Sequence, residues 1–241
     1  MKLKKTSAAI AASVCMCAAH AQSAGTVELG AGWMHFAPQV SSDPLAISTG
    51  GNRFVAPRNF TIPGSGAAVP GSDALGLSIT YFVTDHIAPE FVLGIPPKFD
   101  LNGADSLNSL GKLGTVKLWS PTVLLKYYFG SAQAKLRPYL GIGVTRAWFT
   151  NADVTNPALS TLLMSGPVSV ESVKNAWAPV YNAGLSYAFS KHWVAGLSIS
   201  YVPLKTTVTL DATSRVLGAE RATANIKLNP IISYLNIAYV F

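Results

Sequence analysis

The sequence predicts an all-β protein, an eight-stranded antiparallel transmembrane β-barrel, and three observations predict it. The 241-residue chain is 49% hydrophobic and only 12% charged, about half the charged share of an ordinary soluble domain. Beyond the N-terminus no run approaches the ~18–20 consecutive apolar residues that a spanning helix needs. The apolar residues fall instead at alternate positions in segments of about ten residues, separated by turn-rich stretches, as in strands with one face on lipid. Disorder is excluded, because 5 Trp, 9 Tyr and 10 Phe accompany the low charge.

Residues 1–21 read as a secretory signal peptide. Lys2, Lys4 and Lys5 precede an apolar stretch over 8–19, and Ala19 and Ala21 supply the small residues of a cleavage site after Ala21. Residues 22–241 then form the barrel. Cys15 and Cys17 lie in the removed segment without a lipobox, so the mature chain offers no disulfide, thiolate nucleophile or Cys-ligated metal. Loss of the three lysines also reduces the net charge of +7. No cluster of Lys and Arg remains that would bind nucleic acid.

Along the mature chain, the first strand (26–36) sets Val27, Leu29, Ala31 and Trp33 against Glu28, Gly30, Gly32 and Met34. The second (74–83) sets Leu75, Leu77, Ile79 and Tyr81 against Gly76, Ser78 and Thr80. After a turn at Thr84-Asp85-His86, the third places Ile87, Pro89, Phe91, Leu93 and Ile95 opposite Ala88, Glu90, Val92 and Gly94. The fourth (115–129) turns Trp119, Val123, Leu125, Tyr127 and Phe129 outward and Leu118, Leu124, Lys126 and Tyr128 inward. The fifth has Pro138, Leu140, Ile142, Val144 and Trp148 outside, with Arg137, Tyr139, Gly141, Gly143 and Thr145 inside. The sixth (176–189) alternates Trp177, Tyr181, Leu185 and Tyr187 with Val180, Asn182, Gly184 and Ser186. The seventh begins at Trp193 and sets Leu197, Ile199 and Tyr201 outward. The eighth ends the chain with Ile231, Leu235, Ile237, Tyr239 and Phe241 outside.

An even strand count permits closure, which removes edges that lipid cannot satisfy. Connections alternate between tight turns near Asp85, Ser131 and Lys191 and longer loops over 38–72, 97–114, 151–174 and 211–219. The turns are assigned to the periplasm and the loops to the outside, and the Pro-, Gly- and Ser-rich first loop is expected to lack regular structure. Aromatic residues gather at both ends of the outward face, Tyr81, Tyr127, Tyr187 and Trp193 at one end and Trp33, Trp119, Trp148 and Trp177 at the other. Two such girdles with an aliphatic band between them mark a bilayer-spanning barrel.

The stretches LGLSITYFVTDHIAPEFVLGIPP (75–97), GKLGTVKLWSPTVLLKYYFG (111–130), RPYLGIG (137–143) and the closing LNPIISYLNIAYVF (228–241) resemble the OmpW family of outer-membrane β-barrels, which includes the alkane-uptake protein AlkL. The resemblance implies a narrow, largely hydrophobic lumen closed towards the periplasm. It also implies uptake of small hydrophobic compounds that leave sideways into the membrane. The long first loop and the 151–174 loop depart from the family pattern.

The inward residues sort by depth. Glu28, Glu90, Lys126 and Arg137 lie near the periplasmic end, and these acids and bases are expected to pair as a charge network plugging the lumen floor, since unpaired charge in low dielectric is costly. Contact with interfacial water is the competing reading. Higher up, Met34, Val92, Leu118, Leu124, Val180, Val202 and Ile232 make an apolar lumen suited to a hydrophobic solute. Ordinary packing competes here, because eight strands leave an interior just wide enough for side chains. Pro96, Pro121 and Pro230 remove ladder donors at strand ends and mark places where the wall could open laterally.

No enzyme is expected. His86 and His192 fall in periplasmic turns, His35 has no Ser-His-acid arrangement around it, metal ligands do not cluster, and no cofactor motif is present. The partners expected are outer-membrane lipid, a small hydrophobic ligand and the barrel-assembly machinery, whose C-terminal signal the terminal Phe241 resembles. A structural or adhesive barrel acting through its loops is the alternative function. The pattern specifies no oligomeric state.

Overall fold

Period-two segments bury one face and expose the other, so their register is set wherever the two faces meet different environments. The computed structural model describes residues 22–162, 166, 168–214 and 218–241. The signal-peptide reading of 1–21, with Cys15 and Cys17, lies outside the described residues. The first barrel strand is β1 (Val27–Ala37), and the loop after it carries β2 (Ser41–Ser42), β3 (Leu45–Thr49), β4 (Arg58–Ile62) and β5 (Ser65–Ala68). A hairpin of β6 (Ser72–Tyr81) and β7 (Ile87–Gly94) follows, then β8 (Lys98–Asp105) and β9 (Lys112–Trp119). Next come β10 (Thr122–Tyr128), β11 (Leu136–Val154), the short helix α1 (Ala158–Leu162) and β12 (Ser169–Val173). The chain finishes through β13 (Ala176–Ala188), β14 (Trp193–Tyr201), β15 (Lys205–Ser214), β16 (Gly218–Lys227) and β17 (Ile231–Val240).

Eight strands close a ring in the order β10-β7-β6-β1-β17-β14-β13-β11, with β11 pairing back onto β10. The terminal strands are neighbours, running in antiparallel register from Glu28↔Val240 to Ala37↔Ile231. Closure leaves no edge in the ring, which is the condition for crossing a bilayer with strands. The inward and outward sets follow the alternation of the sequence. Leu77, Ile79, Leu125, Leu140, Ile142, Leu197, Leu235 and Ile237 are all exposed on the outer wall, flanked by exposed Tyr81, Tyr127, Tyr187 and Trp193 at one end and Trp33, Trp177 and Tyr201 at the other. So wide an apolar exterior is a lipid-facing surface.

The tight turns have local causes. Thr84 Oγ1 accepts from the backbone N–H groups of His86 and Ile87 at 3.2 and 2.9 Å, closing the β6–β7 turn. Gly130, at φ +78°, leaves β10 through the left-handed region that only glycine enters without strain.

Three expectations change on the opposite side. The fourth predicted strand, 115–129, is interrupted at Ser120-Pro121 and becomes β9 and β10, because Pro121 has no N–H for the ladder. The first loop is not irregular, since β3 and β4 join β12, β15 and β16 in a separate sheet of order β12-β15-β16-β3-β4, with β2 also on β16. The last long connection is larger than 211–219, and its hairpin β15–β16 is continuous from Lys205↔Lys227 to Ser214↔Gly218. These segments build a second core of Leu45, Ile47, Leu113, Leu159, Val168, Ala212 and Ala222. Alternate apolar residues on loop strands can leave water only by packing against each other, and that burial holds the layer over the barrel mouth.

Glu220 sits inside this layer, 4% exposed, and neither carboxylate oxygen has a hydrogen-bond partner among the described residues. Burial therefore pushes its pKa above the ordinary 4.5. Below that value both the folded and the unfolded group are protonated and carry no penalty. As pH rises past it, the unfolded chain releases its proton while folded Glu220 retains it, so stability falls until the folded group also ionises. Backbone amides of β15–β16 are expected to lose hydrogen-exchange protection, corrected for intrinsic rates, as pH rises above the ordinary carboxylate value of 4.5, and Glu220→Gln should remove that loss. Equal pH dependence in the two proteins would refute the assignment.

Candidate functional site

The ring places the four floor residues on one level. Glu28, Thr80 and Glu90 form a row across three strands through the registers Glu28↔Thr80 and Thr80↔Glu90. Lys126 is diagonal to Glu90, since Leu124 lies opposite Glu90 and Lys126 opposite Ala88. Its Nζ reaches Glu90 Oε2 at 2.7 Å, and Thr80 Oγ1 donates to Glu90 Oε1 at 3.1 Å. Lys126 also stands 4.4 Å from the centroid of the Tyr139 ring.

Glu28 and Arg137 are brought close but not into an ion pair. Residue 22, the first after the predicted cleavage point, folds into the barrel and stands between them. Gln22 Nε2 donates to Glu28 Oε1 at 3.0 Å and to Ser186 Oγ. Arg137, fully buried, donates from Nη1 to the Gln22 carbonyl at 2.9 Å and from Nη2 to the Asp85 carbonyl. Its guanidinium lies over the Tyr128 ring at 5.2 Å. The floor is thus one ion pair beside one backbone-anchored arginine, rather than a network joining all four charges. Backbone carbonyls satisfy a guanidinium fork as a carboxylate would. Gln22 carried no periodic signal because it precedes β1, and only the closed ring shows what its side chain meets.

Above the floor, Met34, Val92, Leu118, Leu124, Val180 and Val202 belong to one buried apolar cluster, against which Ile232 packs. They line a chamber of about 50 Å³ together with Thr122, Thr145, Asn182, Ser198 and Ser200, so its wall is mixed rather than purely apolar. Asn182 Nδ2 donates to Ser200 Oγ at 2.8 Å. A larger cavity of about 140 Å³ lies further out between the barrel mouth and the loop layer, walled by residues such as Phe99, Leu101, Val116, Phe149, Val208 and Leu228. Phe36, Leu118, Leu204 and Pro230 line both spaces. Apolar alternation over 206–212 and 222–226 was the available signal for the outer cavity's walls.

The prolines differ. Between β7 and β10 the ladder stops at Val92↔Thr122 and resumes where Leu118 N donates to the Pro97 carbonyl at 3.2 Å. Pro96 and Pro121 lie on the two sides of this seam, which borders the inner chamber through Val92, Ser120 and Thr122. Pro230 lies at no such seam: its carbonyl accepts from Val202 N at 3.1 Å and continues the β14–β17 ladder. Phe241, two-thirds exposed, is tied to the first strand by its N–H to the Val27 carbonyl at 2.9 Å.

The histidines serve the rims. His35 Nδ1 and Trp33 Nε1 both meet Asp73 Oδ1, at 2.8 and 3.0 Å. His86 and His192 hydrogen-bond the Tyr128 and Val240 carbonyls. Among the described residues, no group of three or more His, Cys, Asp or Glu is placed to hold a metal.

Comparison with known proteins agrees with this geometry. The family model described as "OmpW family" matches residues 56–241. The chain is 31% identical over 180 residues to the outer membrane protein AlkL of Ectopseudomonas oleovorans, covering 75% of this chain and 71% of that one. It is likewise 31% identical over 180 residues to outer membrane protein W of Vibrio cholerae, covering 72% and 76%. The crystal structure of OprG from Pseudomonas aeruginosa shares the fold, with a TM-score of 0.76 at 22% identity over 92% of this chain and 98% of that one. A family match over most of the chain and a closed eight-stranded ring lead to one conclusion: the chain belongs to the OmpW family and is a β-barrel of the bacterial outer membrane.

Proposed function

We propose that the protein admits small hydrophobic molecules passively from outside, passes them into the inner chamber and releases them sideways into the membrane. The observation that carries this reading is the adjacency of the outer and inner cavities, which share Phe36, Leu118 and Leu204 in their walls, above a floor built from Glu90, Lys126, Gln22 and Arg137. An apolar solute gains by leaving water for such walls. It meets a desolvated ion pair below, which offers it nothing, so the lower-cost route is the unpaired seam at Pro96 and Pro121. Similarity to AlkL supports the substrate class. In this reading the exposed Phe241 serves the barrel-assembly machinery during insertion, and no chemical step is carried out on the solute.

The test is uptake of a medium-chain alkane by cells with and without the protein, together with Pro121→Val and Pro96→Val. Expression should raise uptake, and the substitutions, which return backbone N–H donors to the two strand ends that flank the seam, should slow it about threefold or more without unfolding the barrel. Equal uptake with and without the protein would favour a structural or adhesive role for the loop layer. Raised uptake that ignores both substitutions would remove the lateral exit.

A further inference from the structure

The outer rim carries an arrangement that β-pairing alone disfavours. Lys98 lies directly opposite Lys117 in the β8–β9 ladder, and like charges facing each other across strands destabilise a sheet. Both are exposed. Neither forms an ion pair among the described residues, although Lys112 on the same hairpin meets Asp100 at 2.7 Å. The pattern recurs across the ring, where Lys205 faces Lys227 at the base of β15–β16. The ring order separates the two pairs by two strands on either side, so they stand on opposite flanks of the barrel.

Their height is informative. Lys117 and Trp119 share a strand face two residues apart, about 7 Å, and Trp119 stacks on Trp148 of β11 at 6.2 Å and 14°. The Arg146 guanidinium, on the same outward face, lies 5.7 Å from the ring centres of both Trp148 and Trp177. A cationic fork held between two indoles therefore shares the outward face of the lysine pair near the end of the lipid-facing band, four residues along β11 from the Thr150 that lies opposite Lys117. That is the level of membrane headgroups.

We propose that Lys98, Lys117 and Arg146, beside Trp119, Trp148 and Trp177, form a binding site for the phosphates of an anionic glycolipid in the outer leaflet. A phosphate between Lys98 and Lys117 turns their repulsion into two attractions. The Arg146 fork, about 13 Å further along the wall, donates to the second phosphate of the same lipid, a geometry that suits phosphate. The indoles carry the adjoining apolar part of the lipid, so charge and greasy surface are matched in the order a lipid presents them. The site is separate from the lumen and does not depend on transport.

The test uses the full protein in phosphatidylcholine nanodiscs, titrated with bisphosphorylated lipid A and read by native mass spectrometry. Lipid A should bind about tenfold more tightly than lipid A stripped of both phosphates, and Lys98→Gln with Lys117→Gln should lose about that factor. Arg146→Gln, which leaves the β8–β9 ladder untouched, should also weaken binding and serves if the double variant fails to fold. In nanodiscs without lipid A, Lys117→Gln should raise exchange protection of β8–β9, because the facing charges are gone. Equal binding of phosphorylated and stripped lipid, or wild-type binding by the folded variants, would overturn the site and leave these side chains as ordinary interfacial anchors.

Discussion

Lys126→Met is expected to destabilise the barrel by about 3–5 kcal/mol, the usual cost of stranding one member of a buried ion pair. Lys126 and Glu90 are each 5% exposed and meet at 2.7 Å. Thr80 can satisfy only one carboxylate oxygen, so the other would be left without a partner inside the ring. Replacing both residues with Met should cost far less, and a buried pair exchanged for well-packed apolar groups is often neutral or stabilising by about 1–4 kcal/mol. Urea unfolding in lipid vesicles, analysed as a double-mutant cycle, separates the two outcomes. A single substitution costing less than about 1 kcal/mol would mean that water reaches the floor and screens the pair, as at an exposed site.

Ala147→Phe should reduce hydrophobic uptake to about a tenth, equivalent to a barrier raised by about 1.4 kcal/mol. Ala147 is fully buried in the apolar cluster of the upper lumen and lines the inner chamber of about 50 Å³. A phenyl group there occupies most of the free space while leaving the floor and the seam unchanged. Overpacking should cost about 1–3 kcal/mol, so transport must be compared at equal amounts of folded barrel, judged by heat-modifiable gel mobility. The measurement is initial uptake of the same alkane used for wild type. Unchanged uptake would show that the solute bypasses the chamber, and the proposed route would fail at that step.

The wall of the barrel was legible in the sequence because each strand repeats a simple rule. Lipid on one side and a narrow interior on the other demand alternate residues, and Leu77, Ile79 and Tyr81 beside Gly76, Ser78 and Thr80 declare both faces at once. The depth of the floor residues followed from the same count. The loop layer was harder. Its strands are short, as β3 is, or carry Thr and Ala at about half their positions, as β15 and β16 do, and β3 meets β16 only because loops distant in sequence come together over the mouth. Pro, Gly and Ser in 38–72 signalled turns correctly but concealed the short strands between them.

The sequence by itself determined the ring, the lipid-facing band and which side chains point inward, since period two and turn chemistry are local properties that any stretch of chain displays. Tertiary structure alone decided who pairs with whom. Gln22 reaching Ser186, Arg137 resting on the Gln22 and Asp85 carbonyls, and the gap opposite Pro121 depend on register between strands apart in the chain, while Lys98 facing Lys117 depends on the register within the β8–β9 hairpin. Register is settled by closure of the whole barrel, where every ladder must satisfy its neighbours simultaneously, and that condition belongs to no single segment.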